Sequence, residues 1–156
     1  MQLGRDFTDL LECFSKHQVE YLIVGGYATS VYARPRYTKD LDVWVRPSQE
    51  NAHKILASLR DFGFGSLGLQ VEDFSTAESI VQLGREPNRI DILTALKGVE
   101  FDSCYARAKW FGLESKLRVS LIARSDLLIN KRAVGRPQDL ADVAAIESHP
   151  EPIFEE

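Results

Sequence analysis

Two acids stand two residues apart inside an apolar run, Asp40-Leu41-Asp42-Val43-Trp44-Val45, and no other stretch constrains the chain as strongly. Read as a strand, the run sends Asp40, Asp42 and Trp44 to one face and Leu41, Val43 and Val45 to the other, because side chains alternate with period two. Two carboxylates that close repel each other unless a cation stands between them. A divalent metal ion is the economical counter-charge. Just upstream, Tyr21-Leu22-Ile23-Val24 is an apolar run stopped by Gly25-Gly26, and Tyr27 to Ala33 has helical character up to Pro35, before which a helix tends to end. A glycine pair between strand and helix points backbone N–H groups at an anion, although in most proteins two glycines at a turn are only a turn. Metal plus phosphate is the chemistry to which this stretch points.

A third acid lies downstream. Ile80 to Leu83 and Arg89 to Leu93 are short apolar runs separated by Gly-Arg-Glu-Pro-Asn, a connection that reads as a hairpin turn. Asp91 stands inside the second run between Ile90 and Ile92. An unpaired carboxylate among apolar side chains is costly. Two readings follow: alternation turns Asp91 out to solvent, or Asp91 lies beside Asp40 and Asp42 and completes a three-carboxylate site. Three oxygen ligands with open positions suit Mg²⁺, which takes the rest of its shell from water and phosphate, and two such ions can share the acids.

The remaining elements surround this centre. Phe7, Leu10, Leu11 and Phe14 keep helical spacing behind an expected cap at Asp6. Ser48 is expected to cap a helix carrying Ala52, Ile55, Leu56, Leu59 and Phe62, closed by Gly63 and Gly65. Ser66 to Glu78 fits no period and reads as a connection with one turn of helix. Phe101 to Ala108 reads as a helix, and Trp110 to Leu113 with Leu117 to Ser120 as a last hairpin around Glu114-Ser115-Lys116. Ser125 is expected to cap a helix ending before Gly135 and Pro137. Asp139 to Ser148 reads as a final helix with Leu140, Val143, Ala144 and Ile146 inward. Lys131, Arg132, Arg136, Asp139 and Asp142 either lock these two helices together by ion pairs or offer Lys131 to a phosphate chain.

The 156 residues suit one domain, expected over 1–149, with an acidic tail over 150–156. With a net charge of −4 there is no global basic field, so any nucleic acid would be met by a local patch, for which Arg34, Arg36, Lys39, Lys131, Arg132 and Arg136 are the candidates. Cys13 and Cys104 lack metal-ligand spacing and read as reduced thiols. No apolar run approaches the roughly eighteen residues of a membrane span, and nothing near Met1 looks like a signal peptide. The expected compartment is the cytoplasm, with no membrane partner.

The combination of an apolar strand ending in Gly25-Gly26, thirteen intervening residues, Asp40-Leu41-Asp42-Val43 and a lone strand acid at Asp91 resembles the minimal nucleotidyltransferases related to DNA polymerase β. Within them it is most similar to the AbiEii-type and DUF6036-type group, whose toxin members belong to toxin–antitoxin systems. The later stretch Ile129-Asn-Lys-Arg-Ala-Val-Gly-Arg-Pro-Gln-Asp-Leu-Ala-Asp-Val-Ala-Ala-Ile146 is similar to that group's C-terminal motif. The resemblance implies an α/β (α+β) nucleotidyltransferase fold, a mixed β-sheet packed with helices and ending in C-terminal helices. It implies Mg²⁺ held by Asp40, Asp42 and Asp91, with Asp91 helping to activate an acceptor hydroxyl. It also implies an NTP whose phosphates lie on Gly25 and Gly26 and are reached by Lys131. Many relatives have Gly-Ser where this chain has Gly-Gly, which leaves backbone or Ser30 to contact phosphate.

The leading expectation is a Mg²⁺-dependent enzyme passing NMP from an NTP to an acceptor hydroxyl or phosphate on RNA such as tRNA, a protein or a small molecule, with an antitoxin-like protein partner if it serves a toxin–antitoxin system. The competing expectation is a non-catalytic module of the same fold that binds a protein partner.

Overall fold

The computed structural model describes residues 3–113 and 117–154. Helix α1 spans Arg5–Lys16, and strand β1, Tyr21–Val24, feeds helix α2, Gly25–Tyr32. Strand β2, Asp40–Val45, leads to helix α3, Gln49–Phe62, then to a 3-10 turn, Gly65–Leu67, and the one-turn helix α4, Glu72–Ser75. Strands β3, Ile80–Leu83, and β4, Arg89–Leu93, precede helix α5, Phe101–Ala106. Strands β5, Lys109–Gly112, and β6, Arg118–Leu121, precede helices α6, Arg124–Val134, and α7, Pro137–Glu147.

The six strands form one sheet in the order β3-β4-β2-β1-β6-β5. The sheet is mixed: β1 is antiparallel to β2 and parallel to β6, β2 is parallel to β4, and the two hairpins β3–β4 and β5–β6 are antiparallel. The parallel pairing of β2 with β4 requires a crossover, which α3 supplies. Both central strands are apolar: Tyr21 to Val24 are all buried, as are Leu41, Val43, Trp44 and Val45. Tyr21 and Ile23 lie opposite Val45 and Val43 on one face, and Phe14 of α1 packs on Tyr21 with ring centroids 5.6 Å apart. Trp44 faces the other way, where Phe101 of α5 meets it edge-on at 5.2 Å. The alternation expected for β2 is the one observed.

The expected α1 face of Phe7, Leu10, Leu11 and Phe14 is buried, but the cap lies two residues before the expected Asp6. Gly4 holds the N-cap position, and Asp6 sits in the first turn, where its charge still favours the helix dipole. Ser48 does cap α3, accepting from the Asn51 amide at 3.1 Å, and Gly63 closes the helix at φ 109°. Two expectations near the C-terminus are corrected. Ala123 takes the N-cap position of α6, so Ser125 lies inside the helix. Pro137 does not merely stop α6. It opens α7 at the first helical position, where its missing N–H costs nothing and its fixed φ is already helical. The inward face of α7 is Asp139, Asp142, Val143 and Ile146, whereas Leu140 is half exposed and Ala144 exposed. Ion pairing puts two acids where hydrophobic spacing alone places apolar residues. The β5–β6 hairpin is present, while its expected turn at Glu114-Ser115-Lys116 lies outside the described residues. In the acidic tail, Phe154 lies edge-on to Tyr32 at 6.0 Å.

Buried Asn51 at the start of α3 ties three segments together. Its Nδ2 donates to the carbonyls of Glu20 at 3.0 Å and Arg46 at 3.1 Å, and its Oδ1 accepts from the Glu20 amide at 2.9 Å. The entry to β1 and the exit from β2 are thereby fixed to one side chain. Asn51→Ala orphans all three backbone groups, and we expect a loss of about 3 kcal/mol in urea unfolding. Asn51→Asp keeps an acceptor and loses both donors, so it should not restore stability.

Candidate metal and phosphate site

The β2–β4 register brings the acids together. Asp42 lies directly opposite Asp91, and Asp40 lies opposite Arg89. Residues paired across adjacent strands point to the same face, so Asp40, Asp42 and Asp91 converge. Their carboxylate oxygens include one from each residue that all lie within 4.8 Å of one another. Asp91 is buried rather than turned to solvent, which decides between its two sequence readings. Burial first, and then the charges of Asp91 and Asp40, push the Asp42 carboxyl up to about 7, against a smaller opposing effect of Arg89. Arg89 bonds Asp40 and Asp91 and makes no hydrogen bond to Asp42. Three acids aimed at one point, all oxygen donors, fit a hard divalent cation such as Mg²⁺.

The glycine pair forms the adjoining wall. Gly25 adopts φ 66°, and a Cβ there would lie 2.1 Å from Asp42 Oδ2. At Gly26 a Cβ would lie 2.8 Å from Thr38 Cγ2. Gly25 is thus pressed against Asp42 in a left-handed conformation that disfavours a side chain, and Gly26 lies against the Thr38 side chain. The two glycines are the first residues of α2 rather than a turn preceding it. Ser30 lies one turn along, its hydroxyl donating to the Gly26 carbonyl at 3.0 Å, and Thr29 does the same to Gly25.

Lys131 sits elsewhere than in a free phosphate-binding position. It is buried, with Nζ 2.8 Å from Asp142 Oδ2 and 3.8 Å from Asp139 Oδ1. Asp142 also accepts from Arg36 Nη1 at 2.8 Å and from Gln138 at 2.9 Å. Burial works to raise the Asp142 carboxyl, and the hydrogen bonds from Lys131, Arg36 and Gln138 overcome it and hold the group below its ordinary range. Through Arg36 this cluster reaches the segment that joins α2 to β2. Of the six candidate basic residues, Arg36, Lys39, Lys131, Arg132 and Arg136 each pair with a carboxylate.

Sequence reasoning missed Arg89. Its Nε donates to Asp91 Oδ1 at 3.0 Å, and its Nη2 donates to Asp40 Oδ2 at 3.0 Å and Asp91 Oδ2 at 3.2 Å. The signal was present, because Arg89 and Asp91 stand two apart on a strand and must share a face. Also missed was buried Asp126, gripped at both oxygens by Arg107 at 3.0 and 2.8 Å.

No protein-family model matches the sequence, and no curated protein matches it. Among solved structures, the fold matches the lincosamide antibiotic adenylyltransferase LnuA in its lincomycin-bound form, with a TM-score of 0.56 at 13% identity, over 94% of this chain and 97% of that one. An antigenic nucleotidyltransferase-like protein from Paracoccidioides brasiliensis aligns with a TM-score of 0.49 at 17% identity, over 90% of this chain and 74% of that one. Among the described residues no helix is long and apolar enough to cross a membrane.

Two measurements test this geometry. Gly25→Ala forces a side chain into Asp42 and into a left-handed backbone conformation, so a loss of about 2 kcal/mol or more is expected in denaturant unfolding. The second concerns pH, in EDTA. Folded Asp42 holds its proton up to about 7, whereas in the unfolded chain an aspartate releases it near about 3.9. Between these values the folded state binds more protons, so this group makes stability fall as pH rises from about 4 to about 7 and level off above. Asp42→Asn should remove that slope and exceed the wild type at pH 8 by on the order of 2 kcal/mol.

The fold that carries these acids and the glycine pair is thus an α/β fold with a mixed sheet, similar to that of the adenylyltransferase LnuA at 13% sequence identity.

Proposed function

We propose that the protein is a Mg²⁺-dependent nucleotidyltransferase that transfers NMP from an NTP to an acceptor hydroxyl or phosphate. The observation that carries this reading is the convergence of Asp40, Asp42 and Asp91 beside the glycine pair that opens α2, with Gly25 against Asp42. Asp40, Asp42 and Asp91 would hold the metal, two ions in the full site, and the metal supplies charge stabilisation to the phosphates and to the departing pyrophosphate. The acceptor oxygen forms a bond to the α-phosphorus while the bond from that phosphorus to the bridging oxygen breaks, and pyrophosphate leaves. Asp91 takes the proton of an acceptor hydroxyl or orients the oxygen that attacks. The N–H groups opening α2 at Gly25 and Gly26 face the phosphate chain, and the absence of side chains allows close approach. Ser30 lies near enough along α2 to add its hydroxyl by giving up its bond to Gly26. Lys131 is assigned to the phosphates by the motif resemblance, with Asp142 as its resting partner.

A separate acceptor domain is not required for such a reaction, since LnuA, covered over 97% of its length, is an adenylyltransferase seen with lincomycin bound. Pairing of five of the six candidate cations with carboxylates leaves little free positive charge for an RNA backbone. That favours a small hydroxylated acceptor over tRNA. The AbiEii-type or DUF6036-type placement, with a toxin role and an antitoxin-like protein partner, rests on the sequence motifs.

One observation favours the non-catalytic module: Arg89 neutralises two of the three acids from within the chain. Thermal unfolding with each of the four NTPs, with and without Mg²⁺, separates the readings. A nucleotide at about a hundred times its dissociation constant adds roughly 2.7 kcal/mol, which raises the midpoint by about 2–4 °C per kcal/mol. We expect a Mg²⁺-dependent rise with at least one NTP that Asp40→Asn abolishes, together with release of pyrophosphate once a small-molecule acceptor is supplied. No shift with any NTP in a cooperatively unfolding protein would leave the partner-binding module as the better account.

A further inference from the structure

Arg89 places a guanidinium against two of the three carboxylates that a metal ion would need. It bonds Asp91 through two nitrogens and Asp40 through one of those two, and its Cα partner across β2–β4 is Asp40 itself. No hydrogen bond runs from Arg89 to Asp42. A cation bound between Asp40 and Asp91 and a divalent ion held by the same carboxylates repel each other at that range and compete for the same negative charge. The two cannot share the position. Arg89 also has somewhere to go: Glu86, half exposed in the turn before β4, lies 3.8 Å from its Nη1. The Arg89 side chain is 28% exposed, so it is not sealed in the core.

We propose that Arg89 is the resident counter-cation of the acid cluster, a positioning residue that holds Asp40 and Asp91 together in the metal-free protein and withdraws toward Glu86 when a divalent ion is bound. The inference rests on the reading of Asp40, Asp42 and Asp91 as metal ligands. It assigns Arg89 a cost to metal affinity: the site is kept closed to cations until a divalent ion displaces the guanidinium.

The test compares Mn²⁺ binding to the wild type, Arg89→Met and Arg89→Lys, by electron paramagnetic resonance of free Mn²⁺ and by calorimetry, with no nucleotide present. Removing the competing charge should tighten Mn²⁺ binding about tenfold or more in Arg89→Met, while Arg89→Lys, which keeps the charge, should stay within about threefold of the wild type. A clip that merely orients Asp91 for the metal predicts the opposite, weaker binding in Arg89→Met, and that result or equal affinity overturns the proposal. If Arg89→Met does not fold, the wild type still decides. The Arg89 Nε–H resonance, assigned by its loss in Arg89→Lys, should move on titration with Mg²⁺, and an unmoved resonance at metal saturation overturns the proposal. Folded wild type and folded Arg89→Met that both fail to bind Mn²⁺ would remove the metal reading itself and the inference with it. Metal bound by the wild type and no more tightly by Arg89→Met would leave the metal reading standing and remove the inference alone.

Discussion

Three carboxylates held within 4.8 Å of one another set the terms for the rest of this structure. Like charges so placed are tolerated only if the backbone leaves them no choice and something opposes their repulsion. The backbone part comes from two adjacent strands locked in register, with Asp42 opposite Asp91 and apolar residues buried around them. The β3–β4 hairpin and the α3 crossover hold β4 parallel to β2, and Asn51 anchors the start of β1 to the end of β2. The opposing charge comes from Arg89 on one side, and at Asp42 burial and the neighbouring acids raise the carboxyl's hold on a proton.

A second charged cluster has the complementary composition. Asp139 and Asp142 are surrounded by Lys131, Arg36 and Arg136, so there the cations are in excess. Arg36 belongs to the segment between α2 and β2, and through it the last two helices are tied to the strand that carries Asp40. Acid-rich and cation-rich clusters therefore stand at the two ends of one connection. This arrangement suits a site whose ligands, a metal ion and a phosphate chain, also carry opposite charges.

Much of this was legible in the sequence because strand alternation is a rigid rule. The faces of β2 and the hairpin limits at Ile80–Leu83 and Arg89–Leu93 follow from period-two and turn chemistry, whereas the side on which Asp91 falls depends on the pairing of β2 with β4. What was hidden depended on partners distant in sequence. Leu140 was expected inward and is half exposed because Asp139 and Asp142 take the buried face of α7, drawn there by Lys131 and Arg36. Ser125 and Asp6 failed as caps because the backbone turned into helix earlier than their hydroxyl or carboxylate signals suggest, at Ala123 and Gly4. Arg89 was overlooked for a different reason. A basic residue two positions from an acid on a strand shares its face, but period two alone does not say which carboxylates on the neighbouring strand it will meet.

The contact between Gly25 and Asp42 has a consequence for how variation could enter such a site. Because the missing side chain of one residue is the space occupied by the carboxylate of the other, positions 25 and 42 are one coordinate rather than two. A substitution that enlarges the first must shrink or move the second, and with it the acid cluster. The phosphate-facing turn and the acid strand can therefore drift only as a unit, which confines change in this protein to the surfaces around them.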